Sequence, residues 1–118
     1  MLSQSASIGA ALLADSAVKA IVSTRVYQEE PPAKAVFPCL AYAESQTAAA
    51  AADNAIYAND VTFDIDAFAA GSAWTLATAI TACMDGFGYL CSRAQSAGMV
   101  ADGTIHQVSM TFTNIKEV

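Results

Sequence analysis

Hydrophobic and polar positions alternate most regularly between Ile56 and Phe68. Val61, Phe63 and Ile65 interleave with Thr62, Asp64 and Asp66, the two-residue period of a strand that buries one face. The period then changes. After Gly71-Ser72, residues Ala73, Leu76, Ala77, Ile80, Cys83 and Met84 share one arc of a helix, and Ser72, Thr75, Thr78, Thr81 and Asp85 share another. Trp74 falls at the edge of the polar arc, where a large aromatic covers a sheet rim or anchors a neighbour. Asp85-Gly86 and Gly88 end this amphipathic helix. Alternation returns from Thr104 to Ile115, with Val108, Met110 and Phe112 on one face and Gln107, Ser109, Thr111 and Thr113 on the other.

The remaining segments carry weaker patterns. Ser3–Ala14 reads as a helix presenting Ile8, Ala11 and Leu12, with Ser5 or Ser7 placed to cap its start. Asp15 reads as a second cap before a helical turn from Ser16 to Val22; one kinked helix and two short ones fit equally well. Arg25-Val26-Tyr27 is a short strand, stopped by Glu29-Glu30-Pro31-Pro32. Phe37–Ser45 is the next strand, with Pro38 marking an edge or a strand start. The alanine run Ala48–Ala52 suits a helical turn by propensity, but with so little to bury, Thr47–Ala58 is expected as an extended hairpin tip or mobile loop. Tyr89–Ala94 is a strand candidate and Gln95–Gly103 a loop. This order predicts an α+β domain spanning residues 1–118. Its antiparallel or mixed sheet would carry an N-terminal helix and one long amphipathic helix packed on one face.

Composition narrows the function. Alanine supplies 27 of the 118 residues and buries little apolar surface per residue, so a chain of this kind gains by burying more against a partner or its own copies. Eleven acids against five bases give a net charge of −6. The bases Lys19, Arg25, Lys34, Arg93 and Lys116 are scattered singly, which excludes an ordinary nucleic-acid clamp. An acidic surface that lets DNA slide past is still allowed. Cys39, Cys83 and Cys91 form no CxxC pair and are odd in number, pointing to a reducing compartment and to three buried thiols. No Lys or Arg precedes the apolar run Ile8–Ala14, so it does not read as a signal peptide. The uncharged stretch Ala67–Met84 is broken by Gly71-Ser72 and dotted with threonines, and a soluble protein with no membrane association is expected.

Catalytic apparatus is hard to find. His106 is the only histidine and lacks the company that a metal site or nucleophilic triad requires. Asp64 and Asp66 point the same way from one strand; they suit a cation or acid–base pair, but a solvated face is the commoner outcome. With Asp60 nearby they also suit an acidic ring surface. Gly86-Phe87-Gly88 is too short for a phosphate loop, and Glu29-Glu30 is a solvated turn. No catalytic residue, cofactor or metal is assigned, and an enzyme is not expected.

The sequence of features, however, resembles a family. Leu12–Val22 runs into Arg25-Val26-Tyr27; a proline-bearing loop leads to Phe37–Tyr42; Val61–Phe68 is followed by an amphipathic helix. This resembles the tail-terminator, or tail-completion (head–tail joining), proteins of long-tailed bacteriophages and gene transfer agents. Arg25-Val26-Tyr27, Pro38 and Asp64–Phe68 are the best matches to the family's pattern. The resemblance implies a structural virion protein of the tail neck, a homo-oligomeric ring usually of six copies. Such a ring caps the tail tube protein and joins it to the head-side connector or stopper, with DNA passing through the lumen without specific binding. On exposure alone, Glu29, Glu30, Lys34, Thr47, Asp53, Asn54, Tyr57 and Trp74 are the expected contacts with copies or partners, and Asp60, Asp64 and Asp66 the candidates for an acidic lumen. A head-side adaptor or stopper, and a small ligand-binding or enzymatic domain centred on Asp64, Asp66 or His106, are the alternatives.

Overall fold

The computed structural model describes residues 3–52, 55–100 and 104–117. Helices α1 (Ser5–Ala14) and α2 (Ser16–Val22) precede strands β1 (Val26–Gln28), β2 (Cys39–Ala52) and β3 (Ala55–Ala69); helix α3 (Trp74–Gly86) is followed by β4 (Leu90–Val100) and β5 (Ile105–Glu117). The strands form one mixed sheet in the order β1-β2-β3-β5-β4, with β1 parallel to β2 and every other pair antiparallel. The fold is α+β, as the alternation of periods predicts.

The three helices cover one face of the sheet. The sides that the sequence marked as apolar meet there: Val61, Phe63 and Ile65 of β3, Val108, Met110 and Phe112 of β5, and Leu76, Ala77, Ile80, Cys83 and Met84 of α3 are all buried, with Ile8, Leu12, Val18 and Val22 from the first two helices. Phe63 sits at the centre, 5.5 Å from the Tyr89 ring in an edge-on contact and 6.4 Å from Tyr42.

The N-terminal segment resolves into two helices bent by 80°. Asp15 makes the break: its backbone is extended, and its Oδ1 accepts from Ala17 N at 3.1 Å and Val18 N at 3.0 Å, capping α2 as expected. The cap of α1 differs from expectation. Ser5 lies inside the helix, and the residue before it, Gln4, supplies no side-chain cap. Glu44 of β2 does the work instead, accepting from Gln4 N at 2.7 Å, Ser3 Oγ at 2.6 Å and Ser5 Oγ at 2.8 Å. A carboxylate at a helix start also complements the helix dipole.

Two stretches without a strand period lie in strands, the first of them in the hairpin that is one of its two expected forms. β2 continues to Ala52 through the alanine run, paired with Ala55–Phe68, with register shifts around Ala50; the ladder bonds supplied by β3 override alanine's helix preference. β4 likewise continues through Gln95 to Val100, pairing with β5 and absorbing Gly98, at φ 93°, in a register shift between Ser96 and Met99.

The proline-bearing loop folds back on the helix-free face. Arg25 Nε donates to Pro38 O at 2.8 Å, Ala35 N to Pro32 O at 3.0 Å and Glu29 N to Tyr42 O at 2.8 Å. Phe37 packs on Phe68 with ring centres 6.2 Å apart, over a small second cluster containing Cys39, Ala41 and Ile105. Among the described residues, no single helix is long and apolar enough to cross a membrane.

Candidate assembly surfaces

The helix-free face of the sheet is polar because β3 and β5 direct every second side chain there. The strand register sets Asp64 opposite Thr111 and Asp66 opposite Ser109, with Asp60 two rows further along. Thr111 Oγ1 donates to Asp64 Oδ1 at 3.0 Å, and Ser109 Oγ to Asp66 Oδ1 at 2.6 Å. The three aspartates expected to act together therefore do share one face. Asp64 is exposed, Asp60 and Asp66 half-buried. Arg93 of β4 pairs in register with Thr111 at the rim of this face, where its Nε and Nη2 donate to Gln95 Oε1 at 3.2 and 2.6 Å. The row of carboxylates and hydroxyls presents acceptors to whatever lies in front of it.

One edge of the sheet carries the loop between β1 and β2. Glu29, Glu30 and Lys34 stand exposed on it, together with Val36, which is 62% exposed. Glu29 adopts a left-handed backbone, φ 72°, which turns the chain out of the short strand.

The opposite edge is β4. Residues Leu90 to Gly98 are all exposed on this outermost strand, which pairs with β5 alone among the described strands. Between α3 and β4 runs a groove made of two cavities of about 390 and 410 Å³ that share Trp74. Trp74 is 45% exposed and Leu90 68%, so the aromatic expected at the helix edge does face outward. Thr47 is exposed on β2; Asp53 and Asn54, and the side chain of Tyr57, lie outside the described residues.

Cys91 corrects the expectation of three buried thiols. Cys39 and Cys83 are buried, but Cys91 is exposed because it lies on the uncovered strand. His106 is exposed on β5 beside the groove, next to Ser72 and Trp74 rather than beside Asp64 or Asp66. Among the described residues, no three His, Cys, Asp or Glu side chains gather as metal ligands.

Residues 6–115 match the family described as tail completion protein gp17. The chain belongs to that family. Among solved structures, a chain from the virion of a native gene transfer agent (GTA) particle has the same fold, with a TM-score of 0.69 at 20% identity over 94% of this chain and 92% of that one. No curated protein matches the sequence. In this member of the tail completion family, the sequence signalled the acidic face, Trp74 and the proline loop. It gave no sign of Glu44, whose partners lie about forty residues away, or of Arg93 and Leu90, whose exposure follows from the place of β4 at the edge of the sheet.

Proposed function

We propose that this tail completion protein is a structural component of a phage-type virion, located at the neck of the tail. It closes the tail tube as a ring, joins the tube to the head-side connector, and has no catalytic task. The observation that carries this proposal is the family match across residues 6–115. Two features of the subunit support it. Its unlike edges suit head-to-tail contact between copies, the geometry from which rings are built. Its helix-free face, with Asp60, Asp64 and Asp66 in one array, suits a lumen through which DNA slides, since like charges repel and nothing there clamps phosphate. Glu29, Glu30, Lys34 and Trp74 belong to the contacts between copies. Thr47, Asp53, Asn54 and Tyr57 belong to the contact with the tail tube or the connector.

The test is the morphology of particles assembled without this protein, viewed by electron microscopy. Unjoined heads and tails, with tubes that overrun their normal length, are expected, and the wild-type chain restores joined particles. Normal joined particles in its absence overturn the proposal. Tails of normal length beside heads that lose their DNA would instead place the chain on the head side, as an adaptor or stopper.

A further inference from the structure

The two edges of the sheet are unlike in a way that specifies what meets each of them. β4 is an eleven-residue strand paired only to β5 among the described strands, so its outer backbone edge is open to another chain. The groove beside it mixes apolar side chains such as Ala77, Ala94 and Met110 with the polar Thr78, Thr81 and Ser96, and Trp74 is common to its two cavities. The only base between Lys34 and Lys116 in the sequence, Arg93, stands on this edge. Among the described residues its hydrogen bonds go to a neutral amide rather than to a carboxylate. Asp85 lines the same groove from α3. The β1 edge carries the complementary set: Glu29, Glu30 and Lys34, with Val36 as an exposed apolar side chain on the same loop.

We propose that the β4 edge of one subunit receives the β1–β2 loop of a second copy, with Arg93 meeting Glu29 and Glu30 while Val36 enters the groove beside Trp74. Lys34 then faces Asp85. This rests on the proposal that the chain works as a ring, and it names the surfaces that build the ring. Charge selects this pairing over the symmetric ones. It sets two carboxylates against Arg93, whereas β4 against β4 offers Arg93 at most Asp85, and loop against loop leaves four carboxylates to two lysines. The complementary sets lie on opposite edges of one sheet, so the contact is heterologous and repeats from copy to copy until it closes.

Cys91 makes the contact measurable. It is the exposed thiol on β4, while Cys39 and Cys83 are buried, and Val36→Cys introduces a second accessible thiol on the loop. A short bismaleimide applied to V36C, both purified and within assembled particles, is expected to give a ladder of covalent multimers that vanishes in V36C/C91S. In parallel, R93E is expected to weaken self-association roughly tenfold, and adding E29K and E30K to R93E is expected to restore it. Oligomers that show no such ladder overturn the inference. So does a Cys91–Cys91 dimer in the wild type, a ladder that persists without Cys91, or an unchanged association of R93E. A chain that forms no multimer in either setting also overturns it. If that monomeric chain still restored tail joining, the tail-completion proposal would stand without the self-contact.

Discussion

Gly9 of α1 lies so close to Tyr42 of β2 that a Cβ at position 9 would collide with the tyrosine hydroxyl and crowd the ring carbon that bears it. The ring has little room to retreat, being 8% exposed and packed near Phe63.

Replacing a helical glycine with alanine ordinarily stabilises by roughly 0.5–1 kcal/mol. At Gly9 the sign reverses: Gly9→Ala is expected to cost about 1–3 kcal/mol through overpacking. Urea unfolding measures it. The cost should be smaller in a Tyr42→Phe background, which removes the atom struck first, and equal costs in the two backgrounds would show that Tyr42 is not the obstacle.

Glu44 ties α1 to the sheet, and its charge state sets how firmly. Burial pushes its carboxyl pKa up, but hydrogen bonds from Ser3, the Gln4 backbone, Gln46 and Ser5 outweigh burial together and hold it at about 2, against 4.5 for a free glutamate. A depressed pKa contributes stability that is fully present above the unfolded value and is lost as pH falls through the folded one. Glu44→Gln is therefore expected to lower stability by about 1.5–3 kcal/mol at neutral pH, the range for hydrogen bonds to a charged group. The gap between variant and wild type should close as pH drops from about 4.5 towards 2. A gap independent of pH would assign the loss to packing instead.

Thiol reactivity separates the three cysteines. Burial pushes the Cys39 thiol up, and the Cys83 thiol is pushed up to about 11 by burial, by the Asp15 charge and by a hydrogen bond with Asp15. Thiolate is the reacting form, so a maleimide at neutral pH should label Cys91 alone in the native protein and all three cysteines in denaturant. Rapid native labelling of Cys83 would mean that α3 lifts away from the sheet.

The polar face predicts a functional effect separable from its structural cost. Asp64 is exposed and Asp66 half-buried, and each accepts one hydroxyl hydrogen bond, so D64K/D66K should fold with a loss of about 1–3 kcal/mol. In assembled particles the reversed charges should slow or arrest DNA passage, and the purified variant should bind duplex DNA in a manner abolished by salt. DNA delivery equal to wild type would place this face away from the lumen.

Much of the fold was legible because two elements carry clean periods. The alternation of Val61, Phe63 and Ile65, and the arc from Ala73 to Met84, each separate core from solvent without outside help, and the buried residues follow those patterns. Ala48–Ala52 and Gln95–Val100 resisted for opposite reasons. Alanine has no side chain long enough to mark a face, and β4 has no buried face to mark, since residues 90–98 are all exposed. Both strands exist because a partner strand supplies their hydrogen bonds, and a partner is not written in local periodicity. The candidate surfaces divide in the same way. Asp60, Asp64 and Asp66 were visible as a set because one strand carries all three, whereas the pairing of Arg93 with an acidic loop on the far edge depends on strand order.

That strand order has a bearing on how the protein is made. β3 lies between β2, which precedes it directly, and β5, which arrives only after α3 and β4; the bond between Asp64 and Thr111 spans 47 residues. A nascent chain can zip β2 to β3 early, but until β5 emerges the central strand keeps one bare side, and the core lacks Val108, Met110 and Phe112. Such a bare side is a template for aggregation. A chain interrupted before β5 therefore keeps that bare side for good, and the last strand to be made is the one that closes the core.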